Sequence, residues 1–351
     1  MTKYEHRLLN LYLQCRKKLT KILLKCLEQG RSTARIRALI KQIQGEIESL
    51  NKGVKKITAE YYRQFYKQGA LSADSELESI KKHVMFSFNK FHEREVKLAI
   101  DALLSDIENT NAYIGRRATD IVRNITLEQL GIKIITGQTN KQFQKELLNT
   151  FSHINIDEIR DKNGRKMNMK WYAEMVGRTS RAEATNLGIL NRAKELECDL
   201  VLLSEHPETC PICMPLQGRV YSISGKDNRF PPLSKVFPSI YYTIHPNCKH
   251  RISLYIEEYD DNIEQTIKQS NRPFGMLNKR EKEGLDRYYK IQEYKRRLNS
   301  DRRQWERYRE VLGDKAPKTL SAFRQMKKYN SERYQQITSE YRRKSKLCSI
   351  S

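Results

Sequence analysis

The chain has 351 residues, of which 38% are hydrophobic, and it carries 66 Lys and Arg against 42 Asp and Glu. This length favours two or three domains, and the mean hydropathy of −0.76 favours thin, solvated helical parts over one thick core. No segment approaches about 18 consecutive apolar residues, the N-terminus lacks the apolar region of a signal peptide, and the seven cysteines do not form a disulfide scaffold. We therefore expect no membrane span and a reducing cytoplasm.

The positive charge is concentrated at the two ends of the chain. Residues 1–130 carry 24 Lys and Arg against 15 Asp and Glu, residues 131–270 carry 19 against 17, and residues 271–351 carry 23 against 10. Such an excess favours a polyanion or an acidic protein surface as partner. The alternative is that long exposed helices need charge to stay soluble. We favour the polyanion or acidic surface for residues 271–351 and leave both interpretations open for residues 1–130.

Two apolar stripes predict helices at the N-terminus. The second stripe has 4-3 spacing, and the intervening Gly45 and Gly53 each cost about 1 kcal/mol, so we expect that helix to bend or to be shorter. A further pair of helices is predicted over residues 73–109 and 112–130, and Gly131 is expected to end the second. Residues 1–130 are thus predicted to form a helical, coiled-coil-like domain without a ligand site. The stripes are Leu8, Tyr12, Cys15, Leu19, Ile22 and Cys26, then Ile36, Ile40, Ile43, Ile47, Leu50, Val54, Ile57 and Tyr61.

Residues 131–270 predict a compact α+β domain. A helix is expected over residues 139–151, and a hairpin over residues 158–167, because Asn163-Gly164 suits a type I′ turn. Asn168 is a good N-cap for a helix that runs to about residue 197. Three strands are predicted over residues 199–204, 219–223 and 251–256.

A Cys-x2-Cys pair and a His-x2-Cys-x-His tract in this domain predict a structural Zn²⁺ site. The five candidate ligands are Cys210, Cys213, His245, Cys248 and His250. Thiolates and imidazoles from short loops suit tetrahedral zinc, which normally takes four protein ligands at a structural site. The three cysteines are the firmest choices, and the fourth ligand is either histidine.

Other interpretations of these residues remain open. The cysteines could be reduced thiols without a metal, the metal could be catalytic with an open position, or His206 could replace a distant histidine. Arg178 and Thr179 could bind phosphate, although such residues more often form local hydrogen bonds.

Residues 271–351 predict a basic helical arm with a break over residues 313–317. Tyr294, Trp305, Tyr308, Tyr329, Tyr334 and Tyr341 are interleaved with its cations, and at helical spacing we expect them to pack against a neighbouring helix. Any DNA binding would therefore involve phosphates and be independent of sequence. The predicted contacts are Lys295, Arg296, Arg297, Arg302, Arg303, Arg307, Lys327, Lys328, Arg342 and Arg343. The fold class is α+β, with mainly helical N-terminal and C-terminal arms flanking a small zinc-stapled domain.

Several short tracts occur in an order that resembles the minor capsid proteins of tailed phages. The Cys-Pro-x-Cys and His-Pro-Asn-Cys elements also resemble phage Mu F-like head-morphogenesis proteins, and the resemblance covers roughly residues 155–345. The tracts are residues 161–165, 171–176, 178–179, 199–201, 204–206, 217–222, 247–250 and 292–297.

The resemblance implies a portal-associated minor capsid or head-morphogenesis protein, present in the host bacterial cytoplasm during assembly and then in the capsid interior near the portal. Its implied partners are the portal, other head proteins and non-specifically bound DNA, without a membrane or a small-molecule substrate. We predict no enzymatic activity, because the chain lacks a phosphate-binding glycine loop, a Gly-x-Ser-x-Gly elbow and a paired-carboxylate signature.

Two alternatives compete with this interpretation. An HNH-like zinc-stapled nuclease would use His245, Asn247 and His250, but it needs a helix where residues 251–256 predict a strand. A host zinc-ribbon nucleic-acid-binding protein would need a second Cys-x2-Cys pair.

Overall fold

The computed structural model describes residues 1–28, 33–77, 85–136, 158–160, 166–237 and 242–347. The chain divides into two compact units. Unit one comprises Met1–Glu205 and Leu216–Pro273, and unit two comprises His206–Pro215 and Phe274–Ser351. No described helix combines the length and the apolar character that a membrane span needs.

Unit one begins with three long helices, α1 (Lys3–Glu28), α2 (Thr33–Leu77) and α3 (Lys90–Thr136). Both predicted stripes are confirmed, because their described side chains are buried or half-buried in the core that these helices share. The side chain of Cys26 lies outside the described part of the structure.

The helix boundaries differ from the prediction. The helix α2 continues through Gly45 and Gly53 to Leu77, and α3 continues through the expected break at residues 110–111 and through Gly131. The polar residue Asn111 stays helical because its side chain has buried partners. Its Oδ1 accepts a 2.9 Å hydrogen bond from the Tyr12 hydroxyl, and its Nδ2 donates to Asn51 Oδ1 at 2.7 Å.

The predicted strands and the Asn168 cap of the next helix are confirmed. β1 (Glu158–Arg160) pairs antiparallel with β2 (Lys166–Asn168), and the Asn168 side chain accepts a hydrogen bond from the backbone N–H of Trp171 at the start of α4 (Met169–Glu195). β3 (Leu200–Leu203) lies between the antiparallel strands β4 (Val220–Ser222) and β5 (Ile252–Leu254). The predicted helix over residues 139–151 and the Asn163-Gly164 turn lie outside the described residues. A short helix that was not predicted, α5 (Ile263–Ser270), follows the sheet.

The helices α2 and α4 cross at paired glycines. A Cβ atom on Gly69 would lie 2.1 Å from the Thr185 carbonyl oxygen, and a Cβ atom on Gly188 would lie 2.1 Å from the Tyr66 carbonyl oxygen. This close packing gives the described side chains of α1, α2 and α3 one common core with α4. Two separate domains were expected here, and the boundary expected at residue 130 falls inside α3.

A buried ion pair joins the same two helices. Arg192 Nε lies 2.6 Å from Asp74 Oδ1, and the two side chains are only 6% and 3% exposed. The backbone N–H of Phe86 donates to the other Asp74 oxygen at 2.7 Å. The charged groups of this pair are therefore hydrogen-bonded as well as paired, which buried charges require.

The described part of unit two contains three helices, α6 (Lys279–Leu312), α7 (Leu320–Lys328) and α8 (Glu332–Leu347). A capping box formed by Asn278 and Glu281 starts α6. The predicted break after α6 is confirmed by a 3₁₀ turn over Gly313–Lys315, where Gly313 has φ +59°. The buried core consists of Tyr308, Leu312, Ala316, Phe323 and Ile337.

Candidate metal centre

The histidine loop (residues 245–250) of unit one presents a buried cysteine and a buried histidine side by side. Cys248 Sγ lies 3.4 Å from His250 Nδ1, and each residue is only 5% exposed. The other ring nitrogen, His250 Nε2, lies 3.0 Å from Gln217 Oε1. A thiolate and an imidazole nitrogen at this separation are a ligand pair that zinc accepts.

Side chains of α4 hold the histidine loop in place. Arg178 Nε donates a 2.6 Å hydrogen bond to Asn247 Oδ1, and the backbone N–H of Asn247 donates to Thr179 Oγ1 at 2.9 Å. Asn247 has φ +70°, a left-handed conformation that asparagine tolerates better than most residues. Arg178 and Thr179 thus form hydrogen bonds within unit one, but the partner lies 69 and 68 residues away along the chain, and these are not the local hydrogen bonds that the sequence suggested.

Ser204, the residue after β3, holds the chain just beyond the end of the same loop. The backbone N–H of Ser204 donates to the Arg251 carbonyl oxygen at 2.8 Å, and the N–H of Arg251 donates to Ser204 Oγ at 3.0 Å. Deeper in the unit, Asn186 Nδ2 donates to the Tyr242 carbonyl oxygen at 2.7 Å. The backbone around Cys248 and His250 is therefore fixed by groups that belong to other elements.

The knuckle loop (residues 206–215) of unit two carries the Cys-x2-Cys pair. The N–H groups of Cys213 and Met214 donate to the Cys210 carbonyl oxygen at 3.1 and 2.9 Å, which folds the pair into a tight turn. Cys213 is 1% exposed, whereas Cys210 is half-buried. His206 is half-buried at the start of this loop.

The knuckle loop packs against α6 at a glycine. A Cβ atom on Gly284 would lie 2.7 Å from the Pro207 carbonyl oxygen, which also accepts a 3.4 Å hydrogen bond from Arg287 Nη2. Tyr288 on α6 also lies near this loop. Burial raises the pKa of its hydroxyl, and the charge of Cys210 adds to the shift.

The donor set fits a soft or borderline metal such as zinc. The described cysteines and histidines include groups that could hold a metal ion. All five predicted ligands are described: Cys210 and Cys213 belong to unit two, and His245, Cys248 and His250 belong to unit one. The contacts of Gln217, Arg178 and Ser204 were not predicted, because nothing in the local sequence indicates a partner that lies far away along the chain.

The predicted nucleic-acid residues lie on the helices of unit two. Nine of the ten are exposed. Lys327 differs, because its Nζ lies 2.7 Å from Asp301 Oδ1 and 2.8 Å from Gln304 Oε1, and its side chain is only 36% exposed. The ammonium group of Lys327 is therefore engaged within the unit, where it shares the Asp301 carboxylate with Arg324.

Four of the six aromatic residues interleaved with the predicted cations pack in the core of unit two, as predicted. Tyr308 is buried and stacks on Tyr341 at a centroid distance of 4.5 Å, while Trp305 and Tyr334 pack against the same cluster. Two rings differ: Tyr294 and Tyr329 are 55% and 68% exposed.

Comparison with known proteins identifies the family. The model of the family described as Phage minor capsid protein 2 matches residues 24–338, and the chain belongs to this family. The chain is also 27% identical over 105 residues to a protein of Lactococcus phage LL-H named Structural protein, a match that spans 28% of each chain. A comparison with solved structures finds no match. The chain is thus a phage minor capsid protein at the family level, which implies a place in the virion.

Proposed function

We propose that this minor capsid protein is a portal-associated, non-enzymatic head protein in the capsid interior. In this proposal one structural zinc ion is bound by Cys210, Cys213, Cys248 and either His245 or His250, and unit two contacts DNA without sequence preference. Family membership supports the head location, and the net charge of +24, concentrated toward the C-terminus, supports an acidic or polyanionic partner.

The observation that carries the DNA proposal is a stripe of exposed arginines on α6, separate from the two rings of the same helix that pack in the core. Arg296, Arg303 and Arg307 are exposed on one stripe of α6, while Trp305 and Tyr308 face the core of the unit. Exposed guanidinium groups bind phosphates, whereas aromatic rings committed to a core are not available to stack on bases. This arrangement favours contact with the DNA backbone.

The test is the salt dependence of DNA binding by the full chain. The triple variant Arg296→Gln, Arg303→Gln and Arg307→Gln removes three cations that would contact phosphates. It should make the slope of log K against log salt shallower by about 2.7. Fluorescence anisotropy with two duplexes of unrelated sequence, between roughly 50 and 200 mM salt, gives both the slope and the sequence dependence.

A matched variant removes the same charge from unit one. Lys52, Lys55 and Lys56 are all exposed on α2, and their replacement by Gln should leave the slope unchanged. Equal effects of the two triple variants would show that net charge alone governs binding. Unchanged binding by the α6 variant would instead favour an acidic protein surface, such as the portal, as the partner of these cations.

The zinc proposal is tested by metal analysis of protein purified without chelator. We expect one zinc per chain, and we expect Cys213→Ser and Cys248→Ser to lose it because each removes a thiolate ligand. Cys198→Ser is the control, since Cys198 is half-buried outside both loops. Protein without stoichiometric zinc would refute this part of the proposal.

The nuclease alternative is disfavoured by the element that follows the histidine loop. His250 leads into β5 at Ile252, whereas a ββα-metal nuclease needs a helix there. Incubation of the protein with DNA and Mg²⁺ or Mn²⁺ should give no cleavage. Cleavage that His245→Ala abolishes would replace the structural proposal with the nuclease.

Location separates the portal proposal from the host zinc-ribbon alternative. Mass spectrometry of purified virions should detect the chain, and cross-linking in procapsids should join it to the portal. Its absence from virions would favour the host protein. Cross-links to the major shell protein without cross-links to the portal would place the chain away from the portal and refute the proposed position.

A further inference from the structure

We infer that His250, through Nδ1, is the histidine that completes the metal site, and that Gln217 is the residue that positions its ring. The inference rests on the proposed zinc, but it concerns contacts within unit one that the structure describes. It resolves the choice between His245 and His250 that the sequence leaves open, and it gives Gln217 a role.

The contact with Gln217 determines which nitrogen of His250 carries the proton. Gln217 Oε1 lies 3.0 Å from His250 Nε2, and a side-chain carbonyl oxygen can only accept a hydrogen bond. The proton of the neutral ring therefore resides on Nε2. Nδ1 is then the accepting nitrogen, and it faces Cys248 Sγ at 3.4 Å, where the thiol of the metal-free protein donates to it.

This arrangement matches how proteins prepare a histidine ligand. The nitrogen that does not bind the metal usually donates its proton to an oxygen, which fixes both the tautomer and the ring orientation. Gln217 and His250 are each only 5% exposed, so water competes little for this hydrogen bond. Gln217 lies 33 residues from His250 along the chain, and so it holds the ring from outside the histidine loop.

His245 is held differently. His245 is half-exposed, and its Nδ1 lies 2.8 Å from the carbonyl oxygen of Pro246, the next residue in the chain. That carbonyl oxygen belongs to the histidine loop itself, whereas the oxygen that holds His250 comes from a different segment of the chain. Cys248 and His250, by contrast, are two residues apart and can present their side chains on one face of an extended segment.

The experiment measures zinc affinity of the full chain by competition with a chromophoric chelator. We expect His250→Ala to weaken binding more than 100-fold and His245→Ala, the matched control, to change it less than threefold. Gln217→Leu, which removes the acceptor, should weaken binding by about 10- to 100-fold. Gln217→Glu keeps an acceptor oxygen at the same position and should stay within threefold of the wild type.

A second measurement needs no substitution. Long-range ¹H–¹⁵N NMR of histidine-labelled protein with zinc should show His250 bound through Nδ1 and protonated on Nε2. Binding through Nε2, or a protonated Nδ1, would overturn the inference even if the variants failed to fold. Zinc loss in His245→Ala with retention in His250→Ala would overturn it as well. Wild-type protein without zinc would refute the proposed zinc itself, a result distinct from zinc bound with the wrong histidine.

Discussion

Replacing Gly69 by Ala tests the close crossing of α2 and α4. The new Cβ atom would lie 2.1 Å from the Thr185 carbonyl oxygen, 2.9 Å from its carbonyl carbon and 3.1 Å from its Cα. All three are backbone atoms, so no side-chain rotation relieves the contact. The two helices must therefore separate by about 1 Å, and a gap of this size forfeits a quarter to a half of the dispersion energy of the contacts it opens.

The expected destabilisation follows from two opposing effects. Overpacking a well-packed core costs about 1–3 kcal/mol, and a clash with backbone belongs at the upper end of that range. Alanine is about 1 kcal/mol more favourable than glycine inside a helix, which offsets part of this cost. We therefore expect a net loss of about 2 kcal/mol, which lowers the melting temperature of a unit of this size by roughly 4–8 °C.

Gly45 provides the matched control on the same helix. No heavy atom lies within 4 Å of the position that a Cβ atom on Gly45 would occupy. Gly45→Ala should therefore raise the melting temperature by roughly 2–4 °C, because only the gain in helix propensity remains. Thermal unfolding of the full chain, followed by circular dichroism at the helix minimum, measures both variants. A Gly69→Ala protein as stable as the wild type would refute the described crossing.

Two further predictions concern charged groups. Asp74→Ala should lower the unfolding free energy by about 3 kcal/mol, because it leaves the buried Arg192 guanidinium without its 2.6 Å partner. Glu60→Ala, in the exposed pair with Arg7, should cost less than about 1 kcal/mol. Urea unfolding of both variants measures the difference. Burial works against the Asp301 carboxylate, but hydrogen bonds from Lys327 and Arg324 outweigh it and hold the pKa of Asp301 below 3.8. Its stabilising contribution is thus complete above the unfolded-state value and lost as the pH falls through the lower folded-state pKa. The stability difference between wild type and Asp301→Asn should be about 1 kcal/mol at neutral pH and should shrink below about pH 4; a difference that grows on acidification would contradict this.

Local signals in the sequence predicted the elements whose cause is local. The Asn168 cap, the strands around the two ligand loops and the break near Gly313 all follow from the residues at those positions. The apolar stripe of α1 also predicted its buried face, because a regular helix converts that spacing directly into a surface.

Boundaries that depend on distant partners could not be predicted. Asn111 ends many helices, yet here its amide finds Tyr12 and Asn51 on two other helices and α3 continues. Gly69 weakens a helix by its intrinsic propensity, yet it permits the approach of α4 that gives unit one a common core. In both cases a tertiary contact outweighs a local preference of about 1 kcal/mol.

The candidate metal site also combines features with local causes and features that depend on distant residues. Residue type and spacing select Cys210, Cys213 and Cys248 as candidate ligands, since thiolate pairs at short spacing have few other uses in a reducing compartment. The role of Gln217 depends on bringing residue 217 to residue 250, which the sequence pattern does not specify.

The uninterrupted course of α2 has a consequence for how unit one opens. The helix has 45 residues and is therefore roughly 67 Å long. It contacts α1 along its middle, from Glu46 to Phe65, and α4 near its end. Glu76 in its last turn accepts a 2.7 Å hydrogen bond from the backbone N–H of Leu254 in β5. A helix shared in this way couples the N-terminal helices to the sheet beside the histidine loop. Amide protons at both ends of α2 should therefore exchange with solvent through the same opening event, with one free energy of protection along the helix.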